Sequence, residues 1–243
     1  MAGYPGRAAV RNGINGASSG AAACKPLWLV PDVDEAAVHT VESSARVSRL
    51  LARVLAARGI TEPDAVQKHV GASIGSLAEP WLLSGIEDAA ERIRKAVRDR
   101  ERVTVFGDYD VDGISATALL LGALRRLGLK ADVYIPHRTV EGYGPNPQAM
   151  QEIIASGAQL VITVDCGVKA AAEADMLRGA GVDLVITDHH RPGDTLPAAV
   201  AIVNPRLSPD FPTREIAGVA VAFHLAWALG EKIFGKGGIK PQY

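Results

Sequence analysis

Acidic residues stand directly after three short apolar runs in this sequence. The runs cover residues 103–107, 160–164 and 184–187 and are rich in β-branched residues, which is typical of buried strands in a parallel sheet. The acidic residues that follow them are Asp108, Asp165 and Asp188. Because reactive groups gather at the carboxyl ends of the strands in an open α/β sheet, we expect these carboxylates at one edge of one sheet.

The rest of the chain divides into three predicted regions. Residues 1–25 are rich in Gly, Ala and Ser without periodicity, which predicts a flexible tail. Residues 26–100 are predicted to be a helical N-terminal extension. Helix and strand patterns alternate over residues 101–243, which predicts an α/β domain with a mainly parallel sheet flanked by helices. The predicted helices cover residues 44–58, 62–70, 86–98, 115–127, 147–156, 169–179 and 214–234, and two further strands cover residues 132–135 and 200–203.

Composition narrows the function classes. The formal net charge of -1 excludes a globally basic protein, so contact with nucleic acid has to come from local basic residues or bound cations. The two cysteines, Cys24 and Cys166, are too few for a disulfide framework, which fits a cytoplasmic protein. The longest apolar stretch, residues 217–229, is interrupted by His224 and is too short for a membrane span, so no membrane partner is expected.

Asp108, Asp110 and Asp112 alternate with other residues and have two interpretations. If the strand continues, its period of two points all three carboxylates to one side, where they can bind metal. If the strand ends, the three residues lie in a turn and cap the following helix, with Ser115 as a possible N-cap.

The histidines that follow Asp188 strengthen the metal hypothesis. His189 and His190 are adjacent at a strand end and are expected to point to opposite sides, one toward metal and one toward substrate. Carboxylates with one or two imidazoles favour Mn²⁺ or Mg²⁺ over structural zinc. Several such ligands in one crevice suit a pair of metal ions about 3.5–4 Å apart, which hydrolyses phosphate esters. Arg138 follows a strand and is a candidate phosphate anchor, since a guanidinium can bind two phosphate oxygens.

The motifs at residues 107–113, 164–167 and 187–190 resemble those of the DHH phosphoesterase superfamily. Further segments are similar to the RecJ family of single-strand-specific DNA exonucleases, and the resemblance extends from about residue 26 to about residue 234. These segments are residues 136–144, 192–197, 204–205 and 217–223.

The resemblance implies a role for each candidate residue. Asp110 and Asp112 would each hold a different metal ion, and Asp165 would bridge both. His189 would be a metal ligand, and His190 would contact the scissile phosphate. Asp108, the remaining acid of the first motif, is expected to support the site or to face the substrate.

The implied activity is stepwise hydrolysis of single-stranded DNA from the 5′ end with Mn²⁺ or Mg²⁺, in DNA repair and recombination. Single-stranded DNA is the expected partner, together with a single-strand-binding protein and a helicase. The family has a further Asp ligand and additional domains after the segment matched here. The chain is therefore expected to be C-terminally truncated at Tyr243, with an incomplete metal shell.

Two other functions stay open. One is a DHH phosphodiesterase that acts on pyrophosphate, cyclic dinucleotides or short oligonucleotides. The other is a DHH-derived scaffold that binds partners or DNA without catalysis. The acids and histidines of the motifs are all present, which favours an enzyme over a scaffold.

Overall fold

The computed structural model describes residues 31–71 and 73–236. The predicted flexible tail, residues 1–25, lies outside the described residues. Contacts divide the chain into two compact units, with the boundary between Ser76 and Leu77. Within the described part of the chain, no helix is long and apolar enough to cross a membrane.

The first unit is built from helices over its described residues. These are α1 (Glu35–Ala45), α2 (Arg49–Ala57) and α3 (Pro63–Val70), followed by a short 3-10 helix at Ile74–Ser76. Their apolar faces share a small core, formed by Val38, Val41, Ala52, Leu55 and Val66.

The single helix predicted over residues 44–58 is wrong in its first part. Arg46 ends α1 by adopting a left-handed φ of 53°. Ser48 then starts α2, because its side chain accepts a hydrogen bond from the N–H of Leu51, as N-cap residues do. The apolar spacing therefore identified α2 but not the break before it.

The second unit alternates helices and strands. Its helices are α4 (Ile86–Asp99), α5 (Val111–Arg126), α6 (Pro147–Ala155), α7 (Ala171–Gly179) and α8 (Gly218–Phe234). Its strands are β1 (Val103–Gly107), β2 (Ala131–Tyr134), β3 (Leu160–Val164), β4 (Asp183–Thr187) and β5 (Ala201–Val203). Helix α4, which the sequence pattern assigned to the N-terminal region, belongs to this unit because its buried face packs in the same core as the sheet.

The five strands form one parallel sheet in the order β2-β1-β3-β4-β5. Gly107 at the end of β1 lies opposite Val164 of β3, and Val164 lies opposite Thr187 of β4. The residues that follow these three strands therefore emerge side by side. Between β1 and β3 the strand order reverses, and ligands of open α/β sheets bind at such a switch point.

Apolar layers cover both faces of the sheet. Side chains alternate along β3, so that Ile162 packs with α4, α5 and α8 while Val161 packs with α6 and α7. Because both faces are covered, every residue of β1 and β3 is buried, and most of these residues are apolar. The predicted α/β fold, a parallel sheet flanked by helices, is confirmed.

Candidate metal centre

Three acidic residues emerge from adjacent strands at the carboxyl edge of the sheet. They are buried, with relative exposures of 3% for Asp108 after β1, 1% for Asp165 after β3 and 1% for Asp188 after β4. Buried carboxylates in one crevice repel each other unless protons, hydrogen-bond donors or cations neutralise them. Their placement by three neighbouring strands confirms the edge that the sequence predicts.

The first motif does not continue β1 in extended form. The strand ends at Gly107 and α5 begins at Val111, so the three acids do not form a stripe on one side. Asp110 is the N-cap of α5, because its Oδ1 accepts hydrogen bonds of 2.9 Å from the N–H groups of Asp112 and Gly113. The turn interpretation is therefore correct, although the cap is Asp110 rather than Ser115 and the helix starts earlier than predicted.

The carboxylate of Asp112 joins the first turn of α5 to the start of α8. Its two oxygens accept hydrogen bonds of 2.7 Å from the backbone N–H groups of Gly218 and Val219. Its Oδ2 also lies 3.8 Å from Nε2 of His189. Asp112 therefore faces the cluster while it holds α8 in place.

Asp165 lies at the centre of the cluster in an unusual conformation. Its φ of 62° is left-handed, which is uncommon for any residue other than glycine. Its N–H still donates to the carbonyl oxygen of Thr187 in β4, at 2.9 Å. Burial, followed by the charges of Asp112 and Asp110, raises the pKa of Asp165 to about 7.

Two carboxylate oxygens of the cluster are buried without a hydrogen-bond partner among the described residues. They are Oδ1 of Asp108 and Oδ1 of Asp165. Nε2 of His189 lies 3.1 Å from Oδ1 of Asp165, but this contact lacks hydrogen-bond geometry. Burial also raises the pKa of Asp108. Because an unsatisfied buried carboxylate is costly, these atoms fit the coordination of divalent cations by oxygen-rich ligands.

The two histidines lie on the same side of the site. Their ring centroids are 4.5 Å apart, and both rings offer a nitrogen close to the carboxylate of Asp165. The expectation that they point to opposite sides is wrong, because β4 ends at Thr187 and strand alternation does not extend to His189 and His190.

Asp188 orients the second histidine. Its Oδ1 lies 2.7 Å from Nδ1 of His190 and also accepts from the N–H groups of His189 and His190, while its Oδ2 accepts from the N–H of Val168. Burial by itself would raise the pKa of Asp188, but these hydrogen bonds outweigh it and lower the pKa. The bond to Asp188 in turn raises the pKa of His190, against the effect of burial. The ionised carboxylate therefore accepts from Nδ1–H, which leaves Nε2 of His190 for other contacts.

Two groups of potential ligand atoms share Asp165. Within each group, one ligand atom from every residue lies within 4.8 Å of the others; the groups are Asp108, Asp110 and Asp165, and Asp165, His189 and His190. The structure thus brings together five of the seven predicted site residues. Asp112 belongs to neither group, but its carboxylate lies near the imidazole of His189, which belongs to the second group.

Arg138 lies outside these two groups. Its guanidinium stacks over the ring of Tyr109, with 5.2 Å from Cζ to the ring centroid. Tyr109 stands between Asp108 and Asp110 in the sequence. The side chain is exposed and points to no described carboxylate within ion-pair distance. Its role as a phosphate anchor stays a prediction.

The sequence pattern missed one side chain at the site. The hydroxyl of Tyr143 donates to the backbone carbonyl oxygen of Asp165 at 3.2 Å and lies 3.1 Å from Nδ1 of His190. Tyr143 stands between Gly142 and Gly144, both with positive φ. Two glycines around one aromatic residue are the signal that could have identified it, because they indicate a loop shaped to present that side chain.

A cavity of about 300 Å³ adjoins Tyr143 and His190. Its wall is completed by the loop before α7, including Lys169, and by Glu173 in the first turn of α7. The ammonium of Lys169 is exposed and makes no ion pair with a described residue. A volume of this size lies at the lower end of small-molecule sites.

Several known proteins are similar to this chain in sequence and in fold. Residues 102–242 match the DHH family, N-terminal domain. The single-stranded-DNA-specific exonuclease RecJ of Bacillus subtilis is 38% identical over 208 residues, which is 85% of this chain and 26% of that protein. RecJ of Escherichia coli is 41% identical over 201 residues, 82% of this chain and 33% of that protein.

Solved structures agree with these relatives. RecJ of Thermus thermophilus in complex with Mn²⁺ has a TM-score of 0.66 at 32% identity, covering 86% of this chain and 28% of that one. The same protein in complex with Mg²⁺ has a TM-score of 0.52 at 28% identity, covering 86% and 24%. The chain thus spans about a quarter to a third of the length of the curated relatives it matches. On the match of residues 102–242, the chain belongs to the DHH family.

Proposed function

We propose that this chain carries the catalytic centre of a single-strand-specific DNA exonuclease, which hydrolyses phosphodiester bonds from the 5′ end with Mn²⁺ or Mg²⁺. Membership of the DHH family and similarity to RecJ exonucleases support the reaction class and the substrate. The relatives solved with Mn²⁺ and Mg²⁺ support the choice of cation.

The observation that carries this proposal is the position of Asp165 in both groups of ligand atoms. A carboxylate shared in this way would hold divalent cations together with Asp108 and Asp110 in one group and with His189 in the other. The residues that would hold the ions are therefore Asp108, Asp110, Asp165 and His189, with Asp112 adjoining. A bound pair of divalent cations supplies Lewis acidity and lowers the pKa of water for attack on phosphorus.

The chain's own residues position the substrate and stabilise charge. Asp188 fixes the imidazole of His190 and favours its protonated form, so that Nε2 can donate to an oxygen of the scissile phosphate. The hydroxyl of Tyr143 lies beside the same Nδ1, which further restricts the orientation of the ring. Arg138, at the outer rim beside Tyr109, can bind the next phosphate of the strand.

The cavity beside Tyr143 and His190 suits the terminal nucleotide. Its volume of about 300 Å³ admits a sugar and base, and Lys169 places a positive charge at its wall for a phosphate oxygen. Exposed aromatic and cationic groups of this kind bind single strands through stacking and charge.

The setting of the reaction follows from the substrate. Single strands arise where duplex DNA is separated, so we propose that the protein acts in DNA repair and recombination in the cytoplasm. A helicase that supplies the strand and a single-strand-binding protein that covers it are the partners that this substrate implies.

Hydrolysis of a 5′-labelled single-stranded oligonucleotide in the presence of Mn²⁺ tests the proposal. We expect the label to be released as a mononucleotide in the first step, before the rest of the strand is shortened, with little release from the matching blunt duplex. Hydrolysis of a dinucleotide or pyrophosphate without hydrolysis of the long strand would instead support a small-substrate phosphodiesterase. Absence of Mn²⁺ binding in a calorimetric titration, together with absence of hydrolysis, would support a scaffold.

A further inference from the structure

The start of α8 lies directly against the acidic cluster. The N-cap of this helix, Ala217, has no side chain that could accept from the first N–H groups of α8. The free N–H groups of a helix start need an acceptor, and those of Gly218 and Val219 find it in the carboxylate of Asp112, more than 100 residues away in the chain. This end of α8 is therefore held by a residue of the cluster rather than by a local cap.

The same helix start also touches Asp165. A Cβ atom built on Gly218 would lie 2.2 Å from Oδ1, 2.6 Å from Cγ and 2.7 Å from Cβ of Asp165. A flexible side-chain end could move away, but here the contact reaches Cβ of a buried residue whose backbone is already left-handed. Only glycine at position 218 therefore leaves the carboxylate of Asp165 where it lies.

The helix behind these contacts is firmly placed. Val221, Leu225 and Leu229 of α8 are fully buried, and they pack in the core that covers one face of the sheet. Because protein cores transmit displacement with little compression, the first turn of α8 forms a rigid stop for the two carboxylates.

We propose that the first turn of α8 is the positioning element of the metal centre. Gly218 sets the place of the Asp165 carboxylate by the absence of a side chain, and the N–H groups of Gly218 and Val219 fix the carboxylate of Asp112. Gly218 is thus a positioning residue, which acts on the ions through Asp165 and Asp112. This inference rests on the proposed metal-dependent function.

The first test compares Gly218→Ala with Gly122→Ala. Gly122 lies inside α5, and a Cβ there would meet only Nη1 of Arg126 at 3.7 Å. We expect Gly218→Ala to weaken Mn²⁺ binding at least tenfold by calorimetry, whereas Gly122→Ala leaves it unchanged. In hydrolysis assays over a range of oligonucleotide concentrations, we expect Gly218→Ala to lower kcat with little change in KM. Equal Mn²⁺ affinity and kcat in the two variants would overturn the proposal.

The second test needs no metal and uses a double-mutant cycle in chelator. We expect Gly218→Ala to lower the unfolding midpoint in the wild-type background and to have little effect in the Asp165→Gly background, where the contacted carboxylate and Cβ are both gone. A protein with Gly218→Ala alone that does not fold, beside a double variant that does, gives the same answer.

The outcomes of the two tests separate the inference from the proposed function. An equal loss of stability in both backgrounds would show that Gly218 acts elsewhere, and would overturn the inference alone. Coupling in the cycle together with absence of Mn²⁺ binding in the wild type would overturn the proposed function, and with it the positioning of metal ligands.

Discussion

Asp165 combines three unfavourable conditions in one residue. It is almost fully buried, its φ of 62° is left-handed, and one carboxylate oxygen receives no hydrogen bond from the part of the chain that the structure describes. Each of these conditions costs free energy in a protein without a bound cation. A residue that keeps all three at the carboxyl edge of a sheet is explained by ligand binding better than by stability.

Asp165→Asn tests that explanation. Asn has nearly the same shape, tolerates left-handed backbone and carries no charge to be desolvated. We therefore expect an unfolding free energy equal to or above that of the wild type, with loss of Mn²⁺ binding by calorimetry. Hydrolysis should fall by more than about tenfold, or about 1.4 kcal/mol in the barrier. Activity within that range of the wild type would contradict a bridging role.

A second prediction at the residue scale concerns Lys169. If its ammonium meets a substrate phosphate in the cavity, Lys169→Ala should raise KM for a single-stranded oligonucleotide about two- to fivefold, as expected for an exposed ionic contact, while kcat stays nearly constant. The salt dependence of KM should also become weaker. Lys130→Ala, an exposed lysine just before β2 at the opposite edge of the sheet, is the control and should change neither quantity.

At the scale of elements, a buried ion pair connects α4 to the sheet. Arg92 in α4 binds Glu101, which precedes β1, at 2.6 Å, and it also binds Asp183 at the start of β4 at 2.5 Å. Glu101 and Arg92 have side-chain exposures of only 5% and 8%. Burial acts to raise the pKa of Glu101, but hydrogen bonds from Lys95 and Arg92 outweigh it, so that the pKa is lowered.

Glu101→Gln should destabilise the second unit because it leaves the guanidinium of Arg92 with one carboxylate partner. We expect a loss of about 2 kcal/mol at neutral pH, less than the cost of removing a buried partner outright. An acid whose pKa is lowered by folding stabilises the protein at pH values above its unfolded-state pKa. This stabilisation is lost as the pH falls through the folded-state pKa.

The difference in unfolding free energy between the wild type and Glu101→Gln should therefore shrink below about pH 4.5. Urea unfolding across pH measures it. Glu91→Gln, an exposed acid on the same helix, should leave the unfolding midpoint nearly unchanged. A difference that is constant with pH would contradict the assignment of the effect to charge.

At the scale of the whole molecule, negative charge is concentrated at one place. The net charge is only -1, yet the strand order brings the acids that follow β1, β3 and β4 to one sheet edge. The molecule without bound cations therefore carries local repulsion that its average composition does not show.

Divalent cations should consequently raise thermal stability. A ligand that binds only the folded state at a hundredfold excess over Kd adds about 2.7 kcal/mol, which corresponds to roughly 5–10 °C for a chain of this size. Scanning calorimetry with Mn²⁺ and with chelator measures the shift. Asp165→Asn should abolish most of the shift, and an equal shift in that variant would place the stabilising ions elsewhere.

The sequence alone determined the strands, the parallel sheet and the edge at which the acids meet, because hydrophobic runs and strand polarity are local properties. It also determined the family, through short motifs such as residues 187–190. Tertiary structure decided which atoms meet. The left-handed turn at Asp165, the link from Asp112 to α8 and the approach of Tyr143 to His190 depend on segments far apart in the chain. The start of α5 at Val111 and the common side of the two histidines were mispredicted for a related reason: the period of a strand holds only while the strand continues, and packing decides where it ends.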